Sequence, residues 1–113
     1  MRRGRGWGAG WFIKVLLLLL IRKKPAHGYE LITELGKWGL AFNGRGQFGP
    51  IYRALRELEA EGLITSQWDL PGGGPARRIY TITPAGEATL ASWVNYLRQE
   101  CEFIKEILKL YGE

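Results

Sequence analysis

The chain has 113 residues, which is one domain's worth, and its 46% hydrophobic and 24% charged residues exclude a disordered chain. One cysteine, Cys101, and one histidine, His27, exclude an intramolecular disulfide and leave too few ligands for a structural zinc site, so no metal and no cofactor are expected. The net charge of +5 is uneven: residues 1–24 hold seven basic groups and no acid, whereas the rest holds nine basic and eleven acidic residues. Such a surplus favours nucleic acid or another anionic partner.

Residues 1–10 interleave Gly with Arg, Trp and Ala and read as a basic, flexible arm. A first helix is expected from about Trp11 to Arg22. Its run Val15 to Ile21 is apolar nearly all round, which demands burial on most sides. Seven apolar residues are far fewer than the roughly 20 that span a bilayer. Lys14 before the run and Arg22, Lys23 and Lys24 after it do not fit a cleavable signal either. No membrane partner and a cytoplasmic location are therefore expected.

Pro25 and Gly28 punctuate the chain, and a second helix is expected from about Gly28 to Trp38 with Leu31, Ile32 and Leu35 on one face. Residues 39–47 form a Gly-rich connection. A third helix should run from about Phe48 to Glu61, with Pro50 in its first turn, where a missing N–H costs nothing. Ile51, Leu55 and Leu58 make its buried stripe, and Tyr52, Arg53 and Arg56 lie on the opposite side. Glu57, Glu59 and Glu61 read as a solvated face. Gly62 ends the helix, with Leu63 folded back on Leu58.

Residues 64–68 and 77–82 have the composition of two short strands, and the Pro- and Gly-rich segment between them is a hairpin tip. Thr83 and Pro84 then open a long helix as N-cap and first residue. Extending to about Tyr111, it spans roughly 40 Å at 1.5 Å per residue. Leu90, Val94, Leu97, Cys101, Ile104 and Leu108 alternate in fours and threes, the spacing of an a/d seam. A seam on a projecting helix needs a partner helix, and a second copy of the chain is the simplest one.

The order of helix, helix, helix, hairpin, helix defines a mainly α fold with a β-hairpin wing: a winged helix-turn-helix over 11–83, preceded by the arm at 1–10 and followed by a dimerisation helix at 84–113. In that frame the third helix enters the major groove and the wing approaches the backbone. Arg53 and Arg56, three residues apart, can bridge guanine edges or pair with phosphate, and Gln47 at the helix entrance can bond adenine. Tyr52 can offer its hydroxyl to phosphate, and Arg77 and Arg78 stand at the wing base. A winged-helix protein-interaction module without specific DNA binding is the alternative reading.

Two other patterns carry less. Gly44, Gly46 and Gly49 match GxGxxG, but no buried strand precedes them and no βαβ unit surrounds them, so a nucleotide site is rejected. No nucleophile and base are set together, and His27 reads as a helix-entrance residue, so an enzyme is not expected.

Gly49, Ile51, Tyr52, Leu55, Leu58, Glu59, Gly62, Leu63 and Ile64 fall on a pattern that resembles the recognition helix of the PadR family of transcriptional regulators. Two further segments, His27 to Leu31 and Arg78 to Gly86, agree with it in order. The resemblance implies a dimeric transcription factor, usually a repressor, of the branch with a single C-terminal helix. It implies that Tyr52 faces DNA and that Gly28 and Tyr29 lie near the DNA backbone. Pro50 departs from the family's usual Thr, removing a hydroxyl contact. Some members of that branch bind flat aromatic compounds on a tryptophan of the last helix. The matching position here is Leu97, with Trp93 one turn earlier, and Trp7, Trp11 and Trp93 are the candidates for such a pocket.

Overall fold

A computed structural model of the chain describes residues 9–38, 49–70, 72 and 74–113. Among them are α1 (Ala9–Lys23), β1 (Ala26–His27), α2 (Gly28–Gly36), α3 (Gly49–Ala60), β2 (Ile64–Asp69), β3 (Arg77–Ile82) and α4 (Pro84–Tyr111). The strands pair antiparallel in the order β1-β3-β2. Mainly helical with a small three-stranded sheet, this is the winged helix read from the sequence. The third strand, β1, was not expected: two residues after Pro25 pair with β3 through Ala26 opposite Tyr80 and His27 opposite Ile79. A strand this short carries no periodicity, and only the edge of β3 defines it. The helix ends differ by one or two residues from the expected ones, with α2 closing at Gly36 and residues 37–38 forming a turn. The glycine-rich match at Gly44 and Gly46, with the 39–47 connection, lies outside the described residues.

The apolar run of α1 is the centre of the core. Leu17, Leu18 and Ile21 are fully buried and meet Leu31 and Leu35 of α2, Ile51, Leu55 and Leu58 of α3, and Ile64 of β2. Burying each such side chain is worth about 1.5–3 kcal/mol, so this helix, buried on most sides, holds the other elements together. Lys14 interrupts it without harm, because its ammonium reaches Glu57 at 3.0 Å and Glu61 at 3.7 Å across the α1–α3 contact. Those two acids are therefore ion-pair partners rather than the purely solvated face expected of them.

The α3 terminus sets the wing. Gly62 adopts φ +78°, the left-handed conformation that favours glycine. Its N–H donates to the Glu59 carbonyl at 3.0 Å and the Leu63 N–H donates to the Leu58 carbonyl at 2.9 Å, which is a Schellman cap. The chain then enters β2. The start of α4 is tied to the same corner: the Thr83 hydroxyl donates to the Gly62 carbonyl at 2.7 Å and accepts the Gly86 N–H at 3.0 Å. The Thr83 N–H donates to the Leu63 carbonyl at 3.1 Å.

From that anchor α4 runs 28 residues and projects, giving the molecule a long axis of 60 Å against 33 and 21 Å across. Its first half belongs to the subunit: Leu90 is buried in the core, and Val94 and Leu97 pack against it. In its second half Glu100 is buried, whereas Ile104, Ile107, Leu108, Leu110 and Tyr111 are exposed.

Candidate nucleic-acid interface

Recognition-helix chemistry requires a helix that buries one side and offers the other. In α3 the buried side is Ile51, Ala54, Leu55 and Leu58, and the solvent side carries Tyr52, Arg53 and Arg56. Both arginines are exposed but look different ways. Arg56 joins Tyr52 at the edge of a cleft of about 510 Å³ between α3, the start of α2 and the wing. Arg53 lines a groove on the α1 side with Trp11, Lys14 and Pro50. Gln47 and Trp7 lie outside the described residues.

The cleft is completed by Gly28 and Tyr29 of α2 and by Arg77 and Arg78 of β3. Gly28 is there for closeness: a Cβ on it would stand 3.0 Å from Tyr52 Cε1. The Tyr52 ring can therefore lie against the backbone where α2 begins, with its hydroxyl at the same edge. Tyr29 is exposed beside it.

Both wing arginines are held by the protein itself. Arg78 Nε donates to Ser66 Oγ at 3.0 Å, and that hydroxyl donates to Glu59 Oε2 at 2.8 Å. The Arg78 guanidinium also lies 4.9 Å from the ring centre of Trp68, a cation–π contact. Arg77 Nη2 is 3.9 Å from Asp69. Glu59, read from the sequence as one of a solvated set, instead links the recognition helix to the wing. Trp68 shows in the sequence only as a strand residue. Alternation puts it on the same hairpin face as Ser66 and Tyr80, but the hairpin outruns α3 there and leaves the indole 60% exposed.

His27 closes the opposite side of the cleft. Its backbone N–H donates to Glu30 Oε1 at 2.7 Å, Nδ1 lies 3.0 Å from the same oxygen, and Nε2 lies 2.8 Å from Asp69 Oδ2. The backbone N–H of His27 holds the Glu30 carboxyl below the usual carboxylate range. An acid three residues after a helix entrance is a capping pattern that the sequence displays, whereas the link to Asp69, 42 residues away, is tertiary. Burial pushes the Tyr80 phenol up, so it stays neutral at the back of the cleft.

A basic, concave face made of a helix and a hairpin is the geometry by which winged helices meet duplex DNA. The sequence profile described as the transcriptional regulator PadR-like family matches residues 16–92. The chain belongs to the PadR-like family of transcriptional regulators. This is a family of regulators and not of enzymes. Negative transcriptional regulator PadR of Bacillus subtilis is 30% identical over 105 residues, covering 88% of this chain and 55% of that protein. This chain thus spans about half the length of the curated relatives it matches. A crystal structure of a conserved protein described as a potential transcriptional factor superposes with a TM-score of 0.79 at 35% identity, over 92% of this chain and 91% of that one. The structure of Bacillus subtilis PadR in complex with operator DNA is similar with a TM-score of 0.60 at 29% identity, over 74% of this chain and 46% of that one.

The PadR-like profile ends within α4, so the exposed outer half of that helix lies beyond it. Of the seam residues, Leu90 is buried within the subunit, Val94 and Leu97 are half-buried, and Cys101, Ile104 and Leu108 are exposed. Of the proposed aromatic pocket, Trp11 and Trp93 meet edge to face at 5.8 Å, and Tyr96 joins Trp11 at 5.7 Å. No cluster of metal-ligating side chains occurs among the described residues, and no described helix is long and apolar enough to cross a membrane.

Proposed function

We propose that this PadR-like chain binds double-stranded DNA through α3 and the wing, as a homodimer on a two-fold operator, and represses the adjoining gene. The observation that carries the reading is the single face shared by Tyr52, Arg56, Arg77 and Arg78, with Arg53 exposed on the same helix. Arg56 and Arg53 reach base edges or phosphates, Tyr52 donates its hydroxyl to a phosphate, and the Gly28–Tyr29 backbone approaches the strand. Arg78, braced by Ser66 and Trp68, offers its remaining N–H groups to the backbone flanking the groove. Repression is supported by the likeness to a negative regulator.

Two-fold association is supported by the outer half of α4. Ile104, Ile107 and Leu108 form an exposed apolar stripe. A second α4 is of matching length and chemistry, and the pairing would bring two recognition helices to successive major grooves, about 34 Å apart. A flat aromatic effector is supported by the Trp11, Trp93 and Tyr96 cluster, which is half-buried where α1 meets α4. The domain division at 11–83 and 84–113 follows the same logic, although Leu90 anchors the second part in the core of the first.

The test is a titration of the purified chain against a duplex from the DNA upstream of its own gene, with a random duplex beside it. Preference for the first, with affinity falling steeply as salt rises, is the expected result. Equal binding to both rejects specific regulation. Tryptophan quenching by planar aromatic compounds tests the effector.

A further inference from the structure

We propose that His27 is the residue that positions the wing for DNA, and that its ring proton sets how firmly the wing is held. The inference rests on the reading of this face as a DNA interface. His27 is the chain's single histidine. It is half-buried where β1 meets α2, with a carboxylate at each ring nitrogen: Glu30 of α2 at 3.0 Å from Nδ1 and Asp69 of β2 at 2.8 Å from Nε2. A carboxylate can only accept, and a neutral imidazole has one N–H to give. The neutral ring thus satisfies one carboxylate and turns a lone pair toward the other. The protonated ring satisfies both and completes a strap from the helix-turn-helix to the wing strand. Asp69 is the last residue of β2 before the wing tip, so the strap acts at the tip end of the hairpin.

Other charged groups surround the ring and its two carboxylates. Arg77 of β3 lies 3.9 Å from Asp69, and Lys24, just before β1, adds positive charge beside Glu30. Arg56 and Glu59 of α3, Arg78 and Tyr80 of β3, and the tyrosines Tyr29 and Tyr52 line the same cleft. Arg78 and Glu59 are set against each other at 3.9 Å. Loss of the ring proton removes one positive charge from the face that phosphates approach. Deprotonation therefore slackens the wing and weakens its attraction for phosphate, and DNA affinity falls as pH rises. Imidazole is the side chain whose ordinary charge change falls between about pH 5 and 8, and the chain has one histidine.

The experiment measures affinity of the full chain for the upstream duplex at constant ionic strength from about pH 5.5 to 8. The wild type is expected to weaken about five-fold or more across that range. His27→Gln, which keeps a donor but cannot titrate, is expected to flatten the profile. Asp69→Asn, at a more exposed position that leaves the Glu30 cap intact, should flatten it too and carries the test if the first variant does not fold. The lone histidine resonance supplies a readout that a merely structural role would not move: its titration midpoint should rise when DNA is bound, because coupling is reciprocal. An Asp69→Asn profile as steep as wild type, or a midpoint that DNA leaves in place, overturns the proposal. So does wild-type binding that is independent of pH, while the DNA reading stands. Failure to bind any duplex at any pH removes both.

Discussion

Replacing Gly86 by alanine sets two physical effects against each other, and the structure decides the sign. Gly86 lies in the first turn of α4, and on helix propensity alone Gly→Ala gains about 0.8–1 kcal/mol. Its position is nevertheless closed. A Cβ there would press into the Leu63 carbonyl oxygen and stand 2.7 Å from Ile82 Cγ1 and 3.0 Å from the Leu63 carbonyl carbon. That carbonyl cannot yield freely, because it accepts the Thr83 N–H at 3.1 Å. The Thr83 hydroxyl bond to Gly62 ties the same corner a second time. To admit a methyl group α4 must lift from the α3–β2 corner. Overpacking costs about 1–3 kcal/mol and a weakened backbone bond about 0.5–1.5 kcal/mol, so after the propensity gain the net loss is about 0.5–3.5 kcal/mol. Urea unfolding of the full chain, at one protein concentration because association shifts apparent stability, should show a lower midpoint with an unchanged slope. Gly36→Ala is the control. Gly36 ends α2 with nothing within 4 Å of a Cβ, and that variant should be neutral or more stable by up to about 1 kcal/mol. A Gly86→Ala midpoint at or above wild type would refute the packing argument, as would equal losses at the two positions.

Glu30→Gln should flatten the acid limb of stability. The carboxyl titrates lower in the folded chain than its ordinary 4.5, so its contribution is full above that value and is lost as pH falls through the folded one. Thermal melts from neutral pH into acid, wild type against variant, measure this. Arg56→Ala should lower the magnitude of the log K against log salt slope by about 0.9 if the side chain meets a phosphate, or relax base choice at one position if it meets a base. Ile107→Glu combined with Leu108→Glu should leave the core intact, since both side chains are exposed. Their expected effect is a light-scattering mass of one subunit, and a dimer mass for that variant would remove α4 as the association surface.

Much of this molecule is legible along the chain. Ile51, Leu55 and Leu58 at helical spacing announce which side of α3 is buried, and thereby which residues it offers. Gly62 and the pair Thr83 and Pro84 mark helix ends through backbone chemistry that is local by nature. Charges resist the same treatment. Glu57, Glu59 and Glu61 look alike in sequence, yet the first and third neutralise Lys14 on α1 while the second braces the wing through Ser66 and Arg78. Long polar side chains choose partners by distance in space, and no spacing rule encodes that.

Sequence by itself determined the winged-helix order, the buried stripes and the long terminal helix, because hydrophobic period, caps and breakers act over a few residues. Tertiary structure alone decided that β1 exists, that Leu90 serves the subunit's own core, that Gly86 is needed for a close approach to Leu63, and that His27 reaches Asp69. Each of these depends on two segments arriving at the same place, and the distance between them is a property of the packed chain rather than of either segment.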